Sequence, residues 1–535
     1  MTPTPAAASA FIDRITAVVQ PLHRDIALAH WAAALSGRAE DFERCATLEK
    51  QLVEIYSSTA DYAEAGRLRD ALTSDTDPLV ARQVDKLYRD FRSCQGDRAL
   101  LNEIVDLESA LAREFNTHRA KFRGERKTNN DLEELLLRTR DSAEAREAWE
   151  ALKQAGEVAA PRVVELARLR NRHAQGLGSP NYYVFSLELN ELRQDRLFAM
   201  LGDLGRATDP LFARYKAELD ARLAGEFGIA ASELCPWHYR NQFFQDPPAQ
   251  EGANLDAIFA DKDLEALTRR YYDGIGLDIR DMLARSDLYE KEGKDQHAFC
   301  IGVETPADVR VLCNVRPTAR WMSTMLHEFG HASYDRYVAP ELPFLLRDAA
   351  HTLTTEAVAM LAERLMRRAE FLEKIAGVEP ARARELEAGQ RAQLRARMLV
   401  FTRWVLVMTH FERGLYEDPG RDLNALWWET VSRFQGLDGS SRRTHPDWAA
   451  KTHLALAPVY YQNYLLGEMN ASQFLAAMRR EAGGPDAPLV DNPVVGAFLR
   501  ERLFRHGATL PWNARLKEAT GEALNPACFL ADLAG

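Results

Sequence analysis

The amino-acid sequence predicts an all-α protein, a large helical body with one small β-hairpin element. Two long stretches, residues 131–176 and 385–417, keep apolar residues three and four positions apart with charges between them, as amphipathic helices do. The middle of the second stretch is apolar enough to be buried on most sides. Proline and glycine fall mainly at the ends of helical segments. Residues 297–315 are instead rich in Val, Ile and Phe around a Pro-Ala-Asp turn, which predicts the β-hairpin.

The charge balance and the apolar content limit the partners and the compartment. Lys and Arg number 68 against 79 Asp and Glu, and the net charge of −11 does not favour nucleic acid or an anionic membrane as a partner. We find no run of 18 apolar residues, so we expect no membrane-spanning segment. The N-terminal stretch lacks the basic start of a signal peptide, and we therefore expect a cytoplasmic protein.

The six cysteines show no C-x-x-C pair, which is typical of reduced thiols in the cytosol. Cys300 and Cys313 flank the turn of the predicted hairpin. They would face each other if that hairpin is tight.

Residues 325–334 read MLHEFGHASY and contain the pattern H-E-x-x-H. Because residues four apart share one face of a helix, His327 and His331 can present two imidazoles to one metal ion. Glu328 then lies beside the ion, where a carboxylate serves as general base in metallopeptidases. The neighbouring residues carry no charge, as suits a helix buried at the floor of a cleft.

A hydrolytic zinc site takes three protein ligands and keeps one position open. The metzincin pattern is excluded, because Tyr334 and Tyr337 stand where it needs Gly and His. Glu356, which opens the apolar face of the next helical segment, is the predicted third ligand. Asp348 and His351 are alternatives in the loop or the first turn. A carboxylate at this place is also favoured by the helix dipole alone.

With these residues in place, the sequence resembles the angiotensin-converting enzyme family of zinc peptidyl-dipeptidases over roughly residues 100–530. LPFLLRDAAHTLTTEA resembles the family's segment between the zinc helix and the glutamate helix. QHAFC carries its His-Ala pair, and NQFFQ resembles its Asn-x-x-x-Gln. KTHLALAPVYYQNYLLG resembles its Lys-x-His followed by Tyr-x-x-Tyr, with one extra residue between the two parts.

The resemblance implies a role for each matching residue. His297 and His453 would hold substrate carbonyls, the main chain of Ala298 would pair with the peptide, Tyr464 would donate to the oxyanion, and Lys451, Gln245 and Tyr461 would bind a free C-terminal carboxylate. If that carboxylate pocket lies two residues past the scissile bond, the enzyme releases C-terminal dipeptides. The extra residue leaves Tyr460 and Tyr461 as alternatives for the pocket.

The resemblance also implies an architecture, a cofactor and a substrate class. We expect one metallopeptidase domain over residues 1–535, a helical ellipsoid of two lobes with a deep central channel. Lid helices are expected in roughly residues 1–100 and the zinc and substrate site in residues 238–465. One catalytic Zn²⁺ and short peptide substrates are expected.

Three positions depart from the family pattern. Met360 stands where the family has an acidic residue one turn after the glutamate ligand, so the hydrogen bond that orients a zinc-binding histidine must come from elsewhere. Asn463 stands where chloride-dependent members have Arg, so chloride activation is not inferred. Gln296 stands where the family has a cysteine, so that disulfide is not expected.

Other functions compete with this interpretation. A thimet-type oligopeptidase cuts internally in short peptides, but its Asp-Phe-Val-Glu-x-Pro-Ser segment is not present. A carboxypeptidase on the same fold needs only a small shift of the carboxylate pocket. A non-catalytic, metal-stabilised peptide-binding protein is disfavoured, because Glu328 and all three ligands are in place.

Overall fold

The computed structural model describes residues 5–248, 255–295, 297–438 and 444–534. These residues form 22 α-helices and four short strands, which confirms the all-α class with a small hairpin. The first eleven helices are α1 (Pro5–Ser36), α2 (Ala39–Tyr56), α3 (Thr59–Asp70), α4 (Pro78–Ser93), α5 (Arg98–Thr117), α6 (Asn129–Arg138), α7 (Ser142–Gly176), α8 (Tyr182–Leu189), α9 (Gln194–Phe227), α10 (Asp256–Phe259) and α11 (Leu264–Gly274). The remaining eleven are α12 (Arg280–Arg285), α13 (Ala319–Arg336), α14 (Thr352–Leu365), α15 (Ala369–Lys374), α16 (Pro380–Glu417), α17 (Leu423–Gln435), α18 (His453–Leu456), α19 (Tyr461–Glu481), α20 (Pro493–Phe498), α21 (Trp512–Thr520) and α22 (Ala527–Ala534). None of the described helices combines the length and the apolar character that crossing a bilayer requires.

The strands form two separate antiparallel hairpins. β1 (Ala120–Phe122) pairs with β2 (Glu125–Lys127), a hairpin that the sequence analysis did not predict. β3 (Phe299–Glu304) pairs with β4 (Asp308–Leu312), as the composition of residues 297–315 predicts.

The register of the second hairpin corrects the expectation for its cysteines. Cys300 lies opposite Val311 rather than opposite Cys313, and the register of the hairpin shifts between Gly302 and Glu304. All six cysteines lie in the described part of the chain, and none of them forms a disulfide. Gln296, the position of the family cysteine, lies outside the described residues.

The two long helical stretches form as predicted, with one break. Residues 131–176 divide into α6 and α7, because Asp141 accepts hydrogen bonds from the backbone N–H groups of Ala143 and Glu144 and begins a new helix. Residues 385–417 lie within α16, and residues 404–408 there are completely buried.

The chain divides into two compact units, each made of separate chain segments. The first unit contains Met1–Gln95, Gly252–Arg391 and Leu466–Phe529, and the second contains Gly96–Glu251, Ala392–Leu465 and Leu530–Gly535. The H-E-x-x-H motif and Glu356 fall in the first unit, whereas Lys451 and Gln245 fall in the second.

The core of the first unit joins the N-terminal helices to the segment before α14. Phe11, Ile15 and Val19 repeat at four-residue spacing on one face of α1 and are buried against α2, α3 and α4. Leu345 belongs to the same cluster. Each such side chain stabilises the fold by about 1.5–3 kcal/mol, so these helices help to fix the chain that leads to Glu356.

The core of the second unit is aromatic. Trp404 of α16 packs against Phe243, with ring centroids 5.2 Å apart, and against Trp427 of α17, at 5.9 Å. All three side chains are buried. The ammonium group of Lys451 lies beside the Phe243 and Trp404 rings of this cluster.

Candidate metal centre and substrate-binding residues

The H-E-x-x-H residues lie on α13, whose start is fixed by a side-chain cap. Thr318 Oγ1 accepts a hydrogen bond from Trp321 N (3.3 Å), which satisfies one of the free N–H groups of the first turn. One face of the helix then carries His327 and His331, whose Nε2 atoms are 3.3 Å apart. The two imidazoles therefore point to a common position, as their spacing predicts.

The carboxylate of Glu356 on α14 completes a three-atom cluster. Its Oε2 lies 3.8 Å from His327 Nε2 and 4.0 Å from His331 Nε2. The three potential ligand atoms all lie within 4.8 Å of one another. The structure thus brings together the three residues predicted to hold the metal.

The two alternative ligands make other contacts. Asp348 accepts a hydrogen bond from the ammonium group of Lys86. His351 caps α14, since its Nδ1 accepts a hydrogen bond from Leu353 N (3.0 Å). The first turn of α14 holds no acidic residue, so Glu356 lies beyond the turn where the helix dipole would favour a carboxylate.

A glycine lets the two helices approach closely enough for this cluster to form. A Cβ added to Gly330 would lie 2.9 Å from Ala359 Cα and 3.3 Å from Ala359 N, and both atoms belong to the backbone. Because a methyl group at this position would clash with an atom that cannot rotate away, Gly330 sets the distance between α13 and α14.

The outer nitrogen of each imidazole also faces a polar side chain. His331 Nδ1 lies 2.7 Å from Thr355 Oγ1, and His327 Nδ1 lies 3.7 Å from Glu363 Oε2. A partner at Nδ1 fixes the ring orientation and leaves Nε2 as the ligand atom. Thr355 and Glu363 both come from α14, one residue before and seven residues after Glu356.

Burial and the neighbouring charges set the protonation of the cluster. Burial, together with the charge of His327, lowers the pKa of His331 to about 3, so this imidazole is neutral at pH 7, as a ligand must be. Burial also acts to lower the pKa of His327, but Glu363, Glu328 and Glu356 outweigh it and raise that pKa. Burial raises the pKa of Glu356 as well.

The donor set fits a zinc ion. Zinc ligands in proteins are imidazole nitrogens and carboxylate oxygens at about 2.0–2.2 Å, and a tetrahedral arrangement then puts neighbouring donor atoms about 3.3–3.5 Å apart. The separations of 3.3, 3.8 and 4.0 Å in this cluster are close to those values. His327, His331 and Glu356 would hold the ion, and three protein ligands leave one position for substrate chemistry.

Glu328 follows His327 directly and lies in a nearly dry environment. Its side chain is 8% exposed, and burial raises its pKa to about 7. A carboxylate whose pKa lies near neutrality can both take and return a proton at physiological pH. Its burial and raised pKa are properties that suit a general base.

His297 and Ala298 precede β3 in the first unit. The imidazole of His297 is 96% exposed and approaches Asp295, with Nδ1 and Oδ1 3.6 Å apart. The backbone N–H of His297 donates to the same carboxylate (2.9 Å). Ala298 is half-buried directly before the first paired residue of the strand. The described contacts leave His297 accessible to solvent.

In the second unit Lys451 and Gln245 are in direct contact. Lys451 Nζ donates a hydrogen bond to Gln245 Oε1 (2.9 Å). The ammonium group lies 5.5–5.6 Å from the ring centroids of Phe243, Trp404 and Tyr461. Burial lowers the pKa of Lys451 to about 8. Such a cation, half-enclosed by aromatic rings beside an amide, is suited to binding an anion.

The same unit groups the predicted His453 with the tyrosines of α19. The ring of His453 lies 4.8 Å from that of Tyr461 and 6.4 Å from that of Tyr464. Tyr461 is also the tyrosine whose ring borders Lys451. The structure therefore places the Tyr461 ring beside both His453 and Lys451. Burial, with a smaller effect of Lys451, lowers the pKa of His453 to about 4, so its imidazole is neutral at pH 7.

The segment from Lys451 to Tyr461, called here the substrate strap, is held by two buried polar side chains. Arg170, 2% exposed, donates to the carbonyl oxygens of Leu454 (3.2 Å) and Ala455. Glu412, also 2% exposed, accepts a hydrogen bond from Val459 N (2.8 Å). Val459 has a φ of +55°, a strained conformation for a β-branched residue that persists only where its surroundings impose it.

Two imidazoles and a carboxylate around one position, with a buried Glu in the H-E-x-x-H turn, define the class of metal-dependent peptidases. The family model described as angiotensin-converting enzyme, peptidase family M2, matches residues 286–531. This match confirms the resemblance to the angiotensin-converting enzyme family that the motifs indicate, and it supports a metallopeptidase, a hydrolase that acts on peptides. A search of curated proteins gave no match to the chain.

The matched stretch contains every candidate residue except Gln245. Gln245 lies outside that stretch and contacts Lys451 through the hydrogen bond given above. Sequence reasoning missed Thr355, Glu363, Arg170 and Glu412. Of these four residues, only Glu363 could have been found from the sequence pattern. An acidic residue seven positions after Glu356 lies on nearly the same face of a helix.

Proposed function

We propose that the protein is a zinc-dependent peptidyl-dipeptidase, which removes dipeptides from the C-terminus of short peptides in the cytoplasm. The donor set of His327, His331 and Glu356, next to the buried Glu328, carries the zinc peptidase assignment. The contact of Lys451 with Gln245 supports the choice of a free C-terminal carboxylate as the group that is recognised.

Zinc supplies Lewis acidity, which polarises a peptide carbonyl and lowers the pKa of water. Glu328 accepts the proton of the attacking water and later returns it to the leaving amine, so no proton is left over at the end of the cycle. Tyr464 donates a hydrogen bond to the developing oxyanion, an interaction typically worth about 3–4 kcal/mol. The role of Tyr464 rests on the family resemblance.

The remaining roles also rest on that resemblance. His297 and His453 hold carbonyl groups of the substrate, and the main chain of Ala298 pairs with the peptide. Lys451, with Gln245 and Tyr461, binds the terminal carboxylate as a charge-assisted pair. Chloride is not part of the proposal, because Asn463 replaces the arginine of chloride-dependent members.

Mass spectrometry of the products tests the proposal. The zinc-loaded protein is given an N-acetylated pentapeptide with a free C-terminal acid and the same peptide as a C-terminal amide. We expect the C-terminal dipeptide from the acid, strongly reduced cleavage of the amide, and no product with Glu328→Gln. A Lys451→Met variant should lose the preference for the acid, whereas Lys262→Met, which removes an exposed charge, should keep it.

The products also distinguish the competing functions. Release of a single amino acid identifies a carboxypeptidase, and equal internal cleavage of acid and amide identifies an oligopeptidase of the thimet type. Binding of zinc without turnover of any peptide in a broad library identifies a non-catalytic peptide-binding protein. Each of these three results contradicts the dipeptidase proposal.

A further inference from the structure

We propose that Glu363 is the residue that orients His327 for zinc. It would take the role of the acidic residue that the family has at the position of Met360. The inference rests on the proposed zinc site and adds a positioning residue to it. The evidence for this role is the position of Glu363 on α14 and the distance between its carboxylate and Nδ1 of His327.

The helical period puts Glu363 and Glu356 on the same side of α14. Seven residues make about two turns, so Glu363 is rotated by only about 20° from Glu356, whereas Met360 is rotated by about 40° in the other direction. Accordingly, Glu356 Oε2 lies 3.8 Å from Nε2 of His327, and Glu363 Oε2 lies 3.7 Å from Nδ1 of the same ring. One imidazole is thus placed between two carboxylates of one helix.

The side chain of Met360 makes a different kind of contact. A Cβ added to Gly467 would lie 3.6 Å from Met360 Sδ and 3.6 Å from Glu356 Cβ. The thioether therefore lies beside Gly467, where it offers no charged acceptor. The residue at this position cannot orient an imidazole as a carboxylate does.

The cation that follows Glu363 in the sequence binds groups of α19. The next residue, Arg364, donates to Ser472 Oγ (3.0 Å) and to the carbonyl oxygen and carboxylate of Glu468. The side chain of Glu363 is 22% exposed, so its charge is only partly screened by water. A carboxylate at Nδ1 keeps the proton on that nitrogen and leaves the lone pair of Nε2 for the metal.

Zinc affinity, measured by competition with a chromogenic chelator, tests the inference without any substrate. Loss of an outer partner of a metal-binding histidine typically costs 10–100-fold in affinity. We expect Glu363→Ala to bind zinc about 10–100-fold more weakly than wild type, and Glu363→Gln, which keeps an acceptor oxygen, to lose less. Glu373→Ala, which removes an exposed carboxylate of α15, is the matched control and should bind as wild type does.

A rescue variant separates orientation of the histidine from general damage to the fold. Met360→Asp combined with Glu363→Ala moves the carboxylate back to the family position. We expect this double variant to bind zinc at least about tenfold more tightly than Glu363→Ala does. The visible absorption of the cobalt-loaded proteins should change in Glu363→Ala and return toward wild type in the double variant. If Glu363→Ala does not fold, the Gln and double variants decide the outcome.

Two results overturn the inference. The first is wild-type zinc affinity in a folded Glu363→Ala protein. The second is a folded double variant that binds zinc no better than Glu363→Ala. If the wild-type protein binds no zinc, the proposed function is overturned as well. If the wild-type protein binds zinc tightly and either of the two results above is found, only the inference about Glu363 fails.

Discussion

Glu328 is the carboxylate of the candidate metal centre to which the proposed chemistry assigns proton transfer rather than metal binding. Burial holds its pKa near 7, which suits a group that both accepts and donates. We predict that Glu328→Gln lowers kcat by about 10²–10⁴-fold, the usual contribution of general acid–base catalysis. Because Gln keeps the size of the side chain, zinc content should stay at the wild-type value.

Steady-state kinetics and metal analysis of the same Glu328→Gln preparation check this prediction. An unchanged kcat in that variant would contradict the role of Glu328. Loss of zinc along with activity would instead show that Glu328 supports the metal.

Lys451 leads to a prediction about pH. Its ammonium group binds a carboxylate only while it is protonated, and burial lowers its pKa to about 8. As pH rises through about 8, the free enzyme loses this charge, so kcat/KM for a free-acid peptide should fall, approaching about tenfold per pH unit. For the amide of the same peptide, kcat/KM should not show this additional fall.

The two pH profiles, measured side by side between pH 6 and pH 10, check the assignment. Parallel profiles for acid and amide would show that Lys451 does not bind the terminal carboxylate. Lys451→Met should abolish the difference between them.

At the scale of residues, the sequence was sufficient for the ligands but not for their supports. His327 and His331 were predictable because the helical period alone puts them on one face. The helical period also puts Glu363 near the face of Glu356, but its approach to Nδ1 of His327 depends on how closely α14 approaches α13. That distance is set by Gly330 against the backbone of Ala359. The sequence alone therefore could not identify which acidic residue after Glu356 approaches His327.

At the scale of elements, the packing of α13 on α14 is the feature that assembles the metal centre. A methyl group at Gly330 would meet the backbone of Ala359 at 2.9 Å. We predict that Gly330→Ala lowers the free energy of unfolding by about 1–3 kcal/mol, the usual cost of overpacking. Since the helices must then separate, Glu356 moves from the histidines and zinc affinity falls too.

Gly389→Ala in α16 is the matched control for this packing. A Cβ there meets no atom within 4 Å, so alanine should be neutral or stabilise the helix by up to about 1 kcal/mol. Denaturant unfolding and chelator competition on both variants measure the effects. Equal behaviour of the two variants would contradict the account of the helix contact.

The substrate strap gives a second prediction at this scale. Glu412→Ala removes the acceptor of Val459 N and leaves a buried N–H without its partner, a cost of about 1–3 kcal/mol. The strained turn at Val459 should then relax, which displaces His453 and Lys451. We predict a larger rise of KM for free-acid than for amide peptides, with Glu412→Gln close to wild type because it keeps an acceptor oxygen.

Initial-rate kinetics on both peptides, together with thermal unfolding, measure these changes. A KM that rises equally for acid and amide in Glu412→Ala would show that Glu412 acts on the fold in general. A Glu412→Gln variant as impaired as the alanine would contradict the role of the acceptor.

Elements were predictable where their pattern is local. The apolar run of residues 297–315 sufficed for the hairpin of β3 and β4, and the periodicity of residues 385–417 sufficed for α16. The hairpin of β1 and β2 was missed, since its strands have three residues each and its turn is formed by Arg123 and Gly124, both with positive φ. The position of the Tyr461 ring beside Lys451 also needed the structure, because an extra residue before a helix changes which tyrosine faces the lysine.

At the scale of the whole molecule, the candidate residues come from distant parts of the chain. Gln245 and Lys451 are 206 residues apart and share a hydrogen bond. Composition and periodicity sufficed for the all-α class, whereas this contact was reached only through the family resemblance. Its partners lie on irregular segments without a periodic pattern, so no local rule could have paired them.

The zinc content of the purified protein and of its ligand variants is the most direct test of the central claim. After removal of loosely bound metal, we predict one zinc ion per wild-type chain and the same value for Glu328→Gln. His327→Ala, His331→Ala and Glu356→Ala should each lose zinc, by more than the 10–100-fold that an outer partner costs. Wild-type zinc content in any of the three folded ligand variants, or no zinc in the wild-type protein, would contradict the metal centre described here.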